Sequence, residues 1–284
     1  MKKSAFYFVW MYFVAIVIVT WSCSDKKTTA QEDGVSDTTA VDTAATDTME
    51  AIMDDVPMPK AADELFDDFI FNFAGNKKLQ MERIAFPIEV YRGGKVVEKI
   101  SPKDWKIERF FMRQGYYTLI FDNLKQMSVV KDTAINRVVV EKILFKNKTV
   151  KQYAFNRIDG RWMMTSVGYK SFGETVNASF LNFYHKFSVD STFQVESMDD
   201  LVMFTAPDPD DDFGSITGSI TPEQWPFFKP ELIPNGQIYN ILYGQEYKDG
   251  SQKIFVVRGI ANGLETEMTF KKKKGHWKLS KFTS

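Results

Sequence analysis

The stretch Ile-Ser-Pro-Lys-Asp-Trp at residues 100–105 returns as Ile-Thr-Pro-Glu-Gln-Trp at residues 220–225. In each copy a hydroxyl residue precedes proline, and Asp or Gln follows the hydroxyl residue by three positions, which is the pattern of a capped helix start. The leading Ile can also pack on the closing Trp as a hydrophobic staple. We therefore predict a short helix at each copy.

Three more anchors recur in the same order around these two stretches. An aromatic stripe with helical spacing starts at Phe66 and again at Phe180, an offset of 114 residues. A Gly-x-Trp sequence ends at Trp162 and again at Trp277, an offset of 115 residues, whereas the offset at the capped stretch is 120. The third anchor is Leu-Gln-Met-Glu at residues 79–82, matched by Phe-Gln-Val-Glu at residues 193–196. This order predicts a tandem duplication, although two unrelated aromatic-rich α+β domains would share some of these features.

Length and composition agree with two domains. The chain has 284 residues, a net charge of −1 and 25 Phe, which is enough to build two buried cores. We expect the copies to occupy residues 61–172 and 173–284. The near-neutral charge gives no case for nucleic-acid binding, which needs a concentrated basic surface.

The first 22 residues have the pattern of an export signal. Two lysines precede an almost unbroken apolar run from Ala5 to Thr20, and Cys23 is the only cysteine. This resembles a bacterial lipoprotein signal, in which the cysteine thiol receives the lipid, although Thr20 and Trp21 depart from the usual pattern. We expect an outer-membrane-anchored lipoprotein of the cell envelope. An uncleaved membrane anchor and ordinary secretion are the alternatives.

Residues 23–60 are rich in Asp, Thr, Ala and Glu and almost free of aromatic residues. Such a segment buries too little apolar area to offset the entropy of ordering it, so we expect a disordered tether. Three Asp-Thr pairs in it resemble the O-glycosylation acceptor of exported Bacteroidota proteins. The candidate glycosylation residues are Thr38, Thr43 and Thr48, and a plain spacer is the alternative.

The pattern within each copy predicts one long helix followed by a hairpin, a short helix and an antiparallel meander. The helices are expected at residues 61–74 and 179–187. The hairpin of the second copy is expected to carry an acidic loop, Pro207–Gly214, where the first copy turns at Arg92–Gly94. The expected strands are 86–91, 95–99, 116–121, 127–130, 137–145, 149–158 and 161–167 in the first copy, and 238–243, 253–260, 264–270 and 276–282 in the second.

This arrangement resembles the nuclear-transport-factor-2-like (NTF2-like, cystatin-like) α+β fold, in which a curved sheet wraps a helix into a cone. The signal, the acidic tether and the tandem copies together resemble an uncharacterised family of Bacteroidota envelope lipoproteins. The resemblance implies a pocket at the mouth of each cone. Domains of this superfamily commonly pair sheet to sheet, so we expect the two copies to form a pseudo-dimer within one chain.

Residues that carry catalytic chemistry are few. The two histidines, His185 and His276, have no Asp at a recognisable spacing, and the sequence contains no phosphate-binding glycine pattern and no His-x-x-x-His pair. We therefore predict no catalytic residues, no cofactor and no metal centre. The expected function is a non-enzymatic module that binds an envelope protein, a glycan or a small ligand. The alternative is a hydrolase or isomerase with an acid/base site in one cone.

Two weak binding candidates remain. Asp208, Asp210 and Asp212 fall at positions 1, 3 and 5 of a calcium loop, but Phe213 stands where that loop needs Gly, so an EF-hand is rejected. A looser calcium site and a solvated loop both stay open. Trp105 and Trp225 are first of all expected in the cores, and a stacking platform for a sugar ring is the second possibility.

Overall fold

The computed structural model describes residues 63–233, 236–260 and 263–283, without the side chain of Asp212. The signal, the tether, Cys23 and the three candidate glycosylation residues lie outside the described part. Within that part, no helix combines the length and the apolar character needed to cross a membrane.

The aromatic stripe at Phe66 lies on helix α1 (Phe66–Gly75), whose Phe66, Phe69 and Phe73 are all buried. Asn76 ends α1 and caps the next helix, because its side chain accepts a hydrogen bond from the Leu79 N–H at 2.7 Å. The helices of the first half are α1 (Phe66–Gly75), α2 (Lys77–Arg83) and α3 (Leu124–Met127), and its strands are β1 (Ile84–Arg92), β2 (Lys95–Ile100), β3 (Tyr116–Phe121), β4 (Arg137–Leu144), β5 (Thr149–Ile158) and β6 (Arg161–Ser171).

The second half repeats the order of the long helix, the hairpin and the meander. Its main helix carries the Phe180 stripe and begins one residue before the predicted start. The helices are α4 (Ala178–Phe187), α5 (Ser191–Glu196) and α6 (Trp225–Phe228), and the strands are β7 (Met198–Asp208), β8 (Asp211–Ile220), β9 (Gln237–Tyr243), β10 (Gln252–Gly259), β11 (Glu265–Lys273) and β12 (His276–Thr283).

The twelve strands of the described residues form one sheet in the order β2-β1-β6-β5-β4-β9-β3-β10-β11-β12-β7-β8. The order is symmetric: each strand of β1–β6 occupies the same place from one end of the sheet as its counterpart six strands later occupies from the other end. At the centre β3 and β9 are parallel neighbours, and β3 pairs with β10 while β9 pairs with β4. Each half therefore places its third strand beside the fourth strand of the other half.

The two hydrophobic cores lie on opposite faces of this sheet. In β3 Leu119 belongs to the core under α1, whereas the next residue, Ile120, belongs to the core under α4. In β10 Val256 and Phe255 divide in the same way. Successive strand residues point to opposite faces, so the central strands are apolar on both. The expected sheet-to-sheet pairing of the two copies is wrong, because the halves join edge to edge in one sheet.

The paired anchors have matching surroundings. Trp162 packs edge-on against Phe66 at 5.0 Å between ring centroids, and Trp277 packs edge-on against Phe180 at 5.6 Å. The capped stretches match as well, because the Trp105 indole N–H donates to Gln80 Oε1 and the Trp225 indole N–H donates to Gln194 Oε1. These distances are 3.3 and 3.0 Å.

Two sequence-based assignments of secondary structure are wrong. Residues 127–130 are helical rather than extended, because the Asn123 side chain caps α3 by accepting from the Gln126 N–H at 3.2 Å. The acidic loop expected at Pro207–Gly214 lies at the tip of the β7–β8 hairpin but is much shorter than predicted, because β7 runs to Asp208 and β8 starts at Asp211. The predicted helix at the first capped stretch is a single 3-10 turn, Pro102–Asp104, and α6 spans four residues.

Candidate functional site

Glu108 lies in the irregular segment between Trp105 and a 3-10 turn at Phe110–Arg113. The fully buried side chain of Gln80 fixes this segment: its Nε2 donates to the Glu108 carbonyl oxygen at 2.8 Å. Its Oε1 accepts from the Glu108 N–H and from the Trp105 indole, both at 3.3 Å. The Trp105 anchor thus sets the position from which the Glu108 carboxylate projects.

The Glu108 carboxylate accepts hydrogen bonds from two tyrosines. The Tyr153 hydroxyl of β5 donates to one oxygen, and the Tyr239 hydroxyl of β9 donates to the other at 3.0 Å. Lys142 Nζ and Lys151 Nζ lie 3.6 and 3.9 Å from the same carboxylate. Because β9 belongs to the second half and pairs with β4 of the first, both halves of the chain contribute to this cluster.

The surroundings of Glu108 keep its carboxylate ionised. Burial raises its pKa, but the hydrogen bond from Tyr153 and the charges of Lys142 and Lys151 outweigh burial, so the pKa is lowered overall. Burial and the negative charge of Glu108 raise the pKa values of Tyr153 and Tyr239. Both tyrosines therefore remain neutral donors at ordinary pH.

A pocket of about 310 Å³ opens beside this cluster. Its volume is at the lower end of the range of small-molecule sites. Phe110, which lines it, has a φ of +47°, a value that bulky residues rarely adopt, and its ring packs on Tyr153 at 4.9 Å between centroids. The lining residues are Ile107, Glu108, Arg109, Phe110, Arg113, Gln114, Lys142, Gln237 and Tyr239.

A second carboxylate, Asp67 of α1, lies deeper under the same face of the sheet. It accepts hydrogen bonds from the hydroxyls of Tyr243 and Tyr117, and Arg258 Nη1 lies 3.8 Å away. Burial raises the pKa of Asp67 in spite of these partners. Because Tyr243 and Arg258 come from the second half, the contacts of Asp67 join the two halves. Asp67 is not among the residues that line the pocket.

The third carboxylate, Glu141, is buried on the opposite face of the sheet. The Gln152 and Asn240 amides donate to it at 2.8 and 3.3 Å, and burial raises its pKa. A shallow pocket of about 270 Å³ lies beside Gln152, over Gly168 of β6. We choose the Glu108 pocket as the candidate site because a charged, hydrogen-bonded cluster opens directly into it.

The second half has no such polar cluster at the matching positions. Each of the three carboxylates, and Tyr153, is matched in the second copy by an apolar residue. The offset is 114 residues for Asp67, 120 for Glu108 and 115 for Glu141 and Tyr153. The apolar residues are Leu181, Phe228, Val256 and Met268. Sequence reasoning missed Glu108, and the contrast between polar and apolar residues at matched positions is the signal that identifies it.

The weak binding candidates do not gather at this site. Trp225 is 1% exposed and lies in the second core, so it has no free ring face and the expected sugar platform does not hold for it. Trp105 is half-buried, packs on Phe86 and does not line the pocket. Asp208 and Asp210 lie at the tip of the β7–β8 hairpin, where Asp208 Oδ1 accepts a hydrogen bond from the Asp210 N–H at 2.9 Å. Across the described residues, no group of three or more His, Cys, Asp or Glu could hold a metal ion.

Comparison with known proteins places this fold. The model of a domain of unknown function, DUF4348, matches residues 45–284, which is most of the chain. The chain belongs to the DUF4348 family. A crystal structure of an NTF2-like protein from Bacteroides fragilis NCTC 9343 is similar to this DUF4348 chain, with 41% identity and a TM-score of 0.73. The match covers 80% of this chain and 98% of that one. No curated protein matches. The predicted α+β fold and its likeness to NTF2-like proteins are confirmed.

Proposed function

We propose that this DUF4348 protein is a cell-envelope lipoprotein whose folded part binds a small ligand in the Glu108 pocket without transforming it. The observation that carries this proposal is the preorganised cluster around Glu108. Two tyrosine hydroxyls and two ammonium groups hold the carboxylate in place before any ligand arrives. A site that is ordered in advance loses less entropy when it binds.

We also propose that the folded part is a tandem pair of NTF2-like domains, 61–172 and 173–284, that exchange their third strands. The symmetric strand order and the matching surroundings of Trp162 and Trp277 support this. In this arrangement the first domain carries the ligand pocket. The second domain supplies Tyr239 to it and fills its own core with apolar side chains.

Binding fits the ionisation of the site better than catalysis does. A general acid or base works best when its pKa lies near the operating pH. Here the pKa of Glu108 is lowered and those of Tyr153 and Tyr239 are raised, so all three move away from neutrality. The cluster is therefore suited to hold a ligand rather than to exchange protons with it.

The alternative function is an enzyme, a hydrolase or isomerase, with an acid/base site in the first cone. The observation that favours it is the direct hydrogen bonding of a carboxylate to two tyrosines beside a pocket. Turnover of a panel substrate that Glu108→Gln abolishes would establish this alternative in place of simple binding.

The ligand proposal is tested by a thermal-shift screen of the full chain against a panel of small metabolites. We expect one or more compounds to raise the melting temperature of the wild type. Gln237 lines the pocket without touching Glu108, so Gln237→Trp is expected to remove that shift by filling the pocket. Ser215→Trp, on the exposed edge strand β8, is the matched control and keeps it. A shift that survives Gln237→Trp places the ligand elsewhere.

The membrane anchor is tested separately. Because Cys23 is the only thiol in the chain, Cys23→Ser is expected to abolish incorporation of a radiolabelled fatty acid in the native host. Equal labelling of the variant and the wild type would overturn the lipoprotein assignment, and the ligand proposal would stand unaffected.

A further inference from the structure

We infer that the ligand of the Glu108 pocket is a compact anion with at least two oxygens, a small carboxylate or a phosphate group. This inference rests on the proposed binding function and adds the chemical class of the ligand. Three observations support it: basic residues predominate around the pocket, the Arg113 guanidinium has no partner among the described residues, and the second half lacks the matching charged residues.

The charges around the pocket are strongly unequal. Arg109, Arg113 and Lys142 line it, and Lys151 Nζ lies 3.9 Å from the Glu108 carboxylate. Four basic side chains thus surround one acidic side chain, Glu108. A concave site lined mainly by one sign of charge concentrates ligands of the opposite sign.

Glu108 has little capacity left for a positively charged ligand. Its two carboxylate oxygens already accept from Tyr153 and Tyr239, and two ammonium groups lie within 4 Å. A cation entering the pocket would meet the surrounding lysines and arginines before it reached this carboxylate. The electrostatic field that a ligand meets in the pocket is therefore set by the basic residues.

Arg113 supplies the group that would hold an anion. It lies on the exposed rim of the pocket, at the end of the 3-10 turn Phe110–Arg113. Within the described ranges no side chain or carbonyl forms an ion pair or hydrogen bond with its guanidinium. A guanidinium presents paired N–H donors that match the oxygens of carboxylates and phosphates. The Lys142 ammonium on the same pocket wall adds a second positive contact.

The second half indicates one anion per chain. Lys142 and Lys151 are matched at the 115-residue offset by Val257 and Thr266, and Glu108 is matched by Phe228. Val257 is buried in the second core. The second half thus lacks both the carboxylate and the lysines, and the expected stoichiometry is one.

The test is a titration of the full chain with inorganic phosphate and with succinate, followed by calorimetry and by the NMR signal of the Trp105 indole N–H. That indole shares Gln80 with Glu108, so it reports on the pocket. We expect one site per chain. Arg113→Ala is expected to weaken binding about ten-fold or more, because a charge-assisted hydrogen bond is lost. Arg161→Ala removes an exposed arginine at the β5–β6 turn, away from the pocket, and is expected to leave affinity unchanged.

The two probes separate the possible sources of the anion. Tighter binding of phosphate supports a phosphorylated ligand, and tighter binding of succinate supports a carboxylic acid. Equal affinity of Arg113→Ala and wild type for both anions overturns the inference. If glucose or another neutral metabolite shifts the Trp105 signal and neither anion does, the anion inference fails while the binding function stands. If no probe and no panel compound binds in this pocket, both fail.

Discussion

A fragment of residues 61–172, expressed without the rest of the chain, is expected not to fold as a monomer. Within the part of the chain that the structure describes, its third strand, β3, pairs only with β9 and β10, and both belong to the second half. In the fragment β3 loses its whole hydrogen-bond ladder, and its buried Ile120 loses the second-half side chains of the core under α4. The β4 edge that normally pairs with β9 is left open as well. Circular dichroism and NMR dispersion of the fragment measure the outcome.

Co-expression with residues 173–284 is the control for this experiment. The two fragments together contain every strand of the sheet, so a folded complex with native-like spectra is expected. A folded homodimer of the first fragment also agrees with strand exchange, since β3 of one copy can take the place of β9 beside β4 of the other. A cooperatively folded monomer of residues 61–172 would contradict the exchange and would show that β3 can return to its own β4.

Local physics explains why much of the architecture was readable in the sequence. The stripe beginning at Phe66 specifies a helix by its spacing alone, and Gly-x-Trp endings fall at tight turns. The likeness of Trp105 and Trp225 can be read because each closes a six-residue stretch that opens with Ile and continues with Ser-Pro or Thr-Pro. Each of these features depends on neighbours close in the chain.

The pairing of β3 with β10 and of β9 with β4 could not be predicted in the same way. Alternation along β3 and β9 says which residues face a core, but it does not say which strand lies alongside. Because each half offers an equivalent fourth strand, β3 can pair with β4 or with β10 by the same local rules. The apolar character of both faces was the only trace of the true arrangement, and it fitted sheet stacking equally well.

The candidate site was hidden for a related reason. Glu108 meets Tyr153 and Tyr239 across sequence separations of 45 and 131 residues. No short motif joins such partners, and a single Glu after a tryptophan has no special signature. Only a comparison of the two copies, position by position, sets Glu108 apart, because its counterpart is Phe228.

Lys253 provides the second large expected effect. It lies in β10 and is fully buried, and its ammonium donates to Asp122 Oδ1 at 2.6 Å, Asn177 Oδ1 at 2.7 Å and the Lys248 carbonyl at 2.8 Å. Asp122 directly follows β3 of the first half, whereas Lys248 precedes β10 of the second. The ammonium thus ties the two halves together at the central strands, with its three N–H donors all engaged.

Lys253→Met keeps the length of the side chain and removes its charge. We expect it to lower the free energy of unfolding by about 3–5 kcal/mol, because breaking a buried pair leaves the other charge uncompensated. For a domain of this size each kcal/mol lowers the melting temperature by about 2–4 °C, so the loss is large in a thermal melt. Lys99→Met is the matched control, because Lys99 and Glu89 form an ion pair of 2.8 Å in contact with solvent, where such a pair contributes little to stability.

The double variant Lys253→Met/Asp122→Asn separates the ion pair from the packing of the lysine. Removing the Asp122 charge relieves the carboxylate left behind, so the double variant is expected to recover part of the stability lost in Lys253→Met. If the two substitutions are simply additive, the lysine acts through its apolar stem alone and the ion pair between the halves contributes nothing. A melting temperature of Lys253→Met equal to that of Lys99→Met would remove Lys253 from the forces that join the halves.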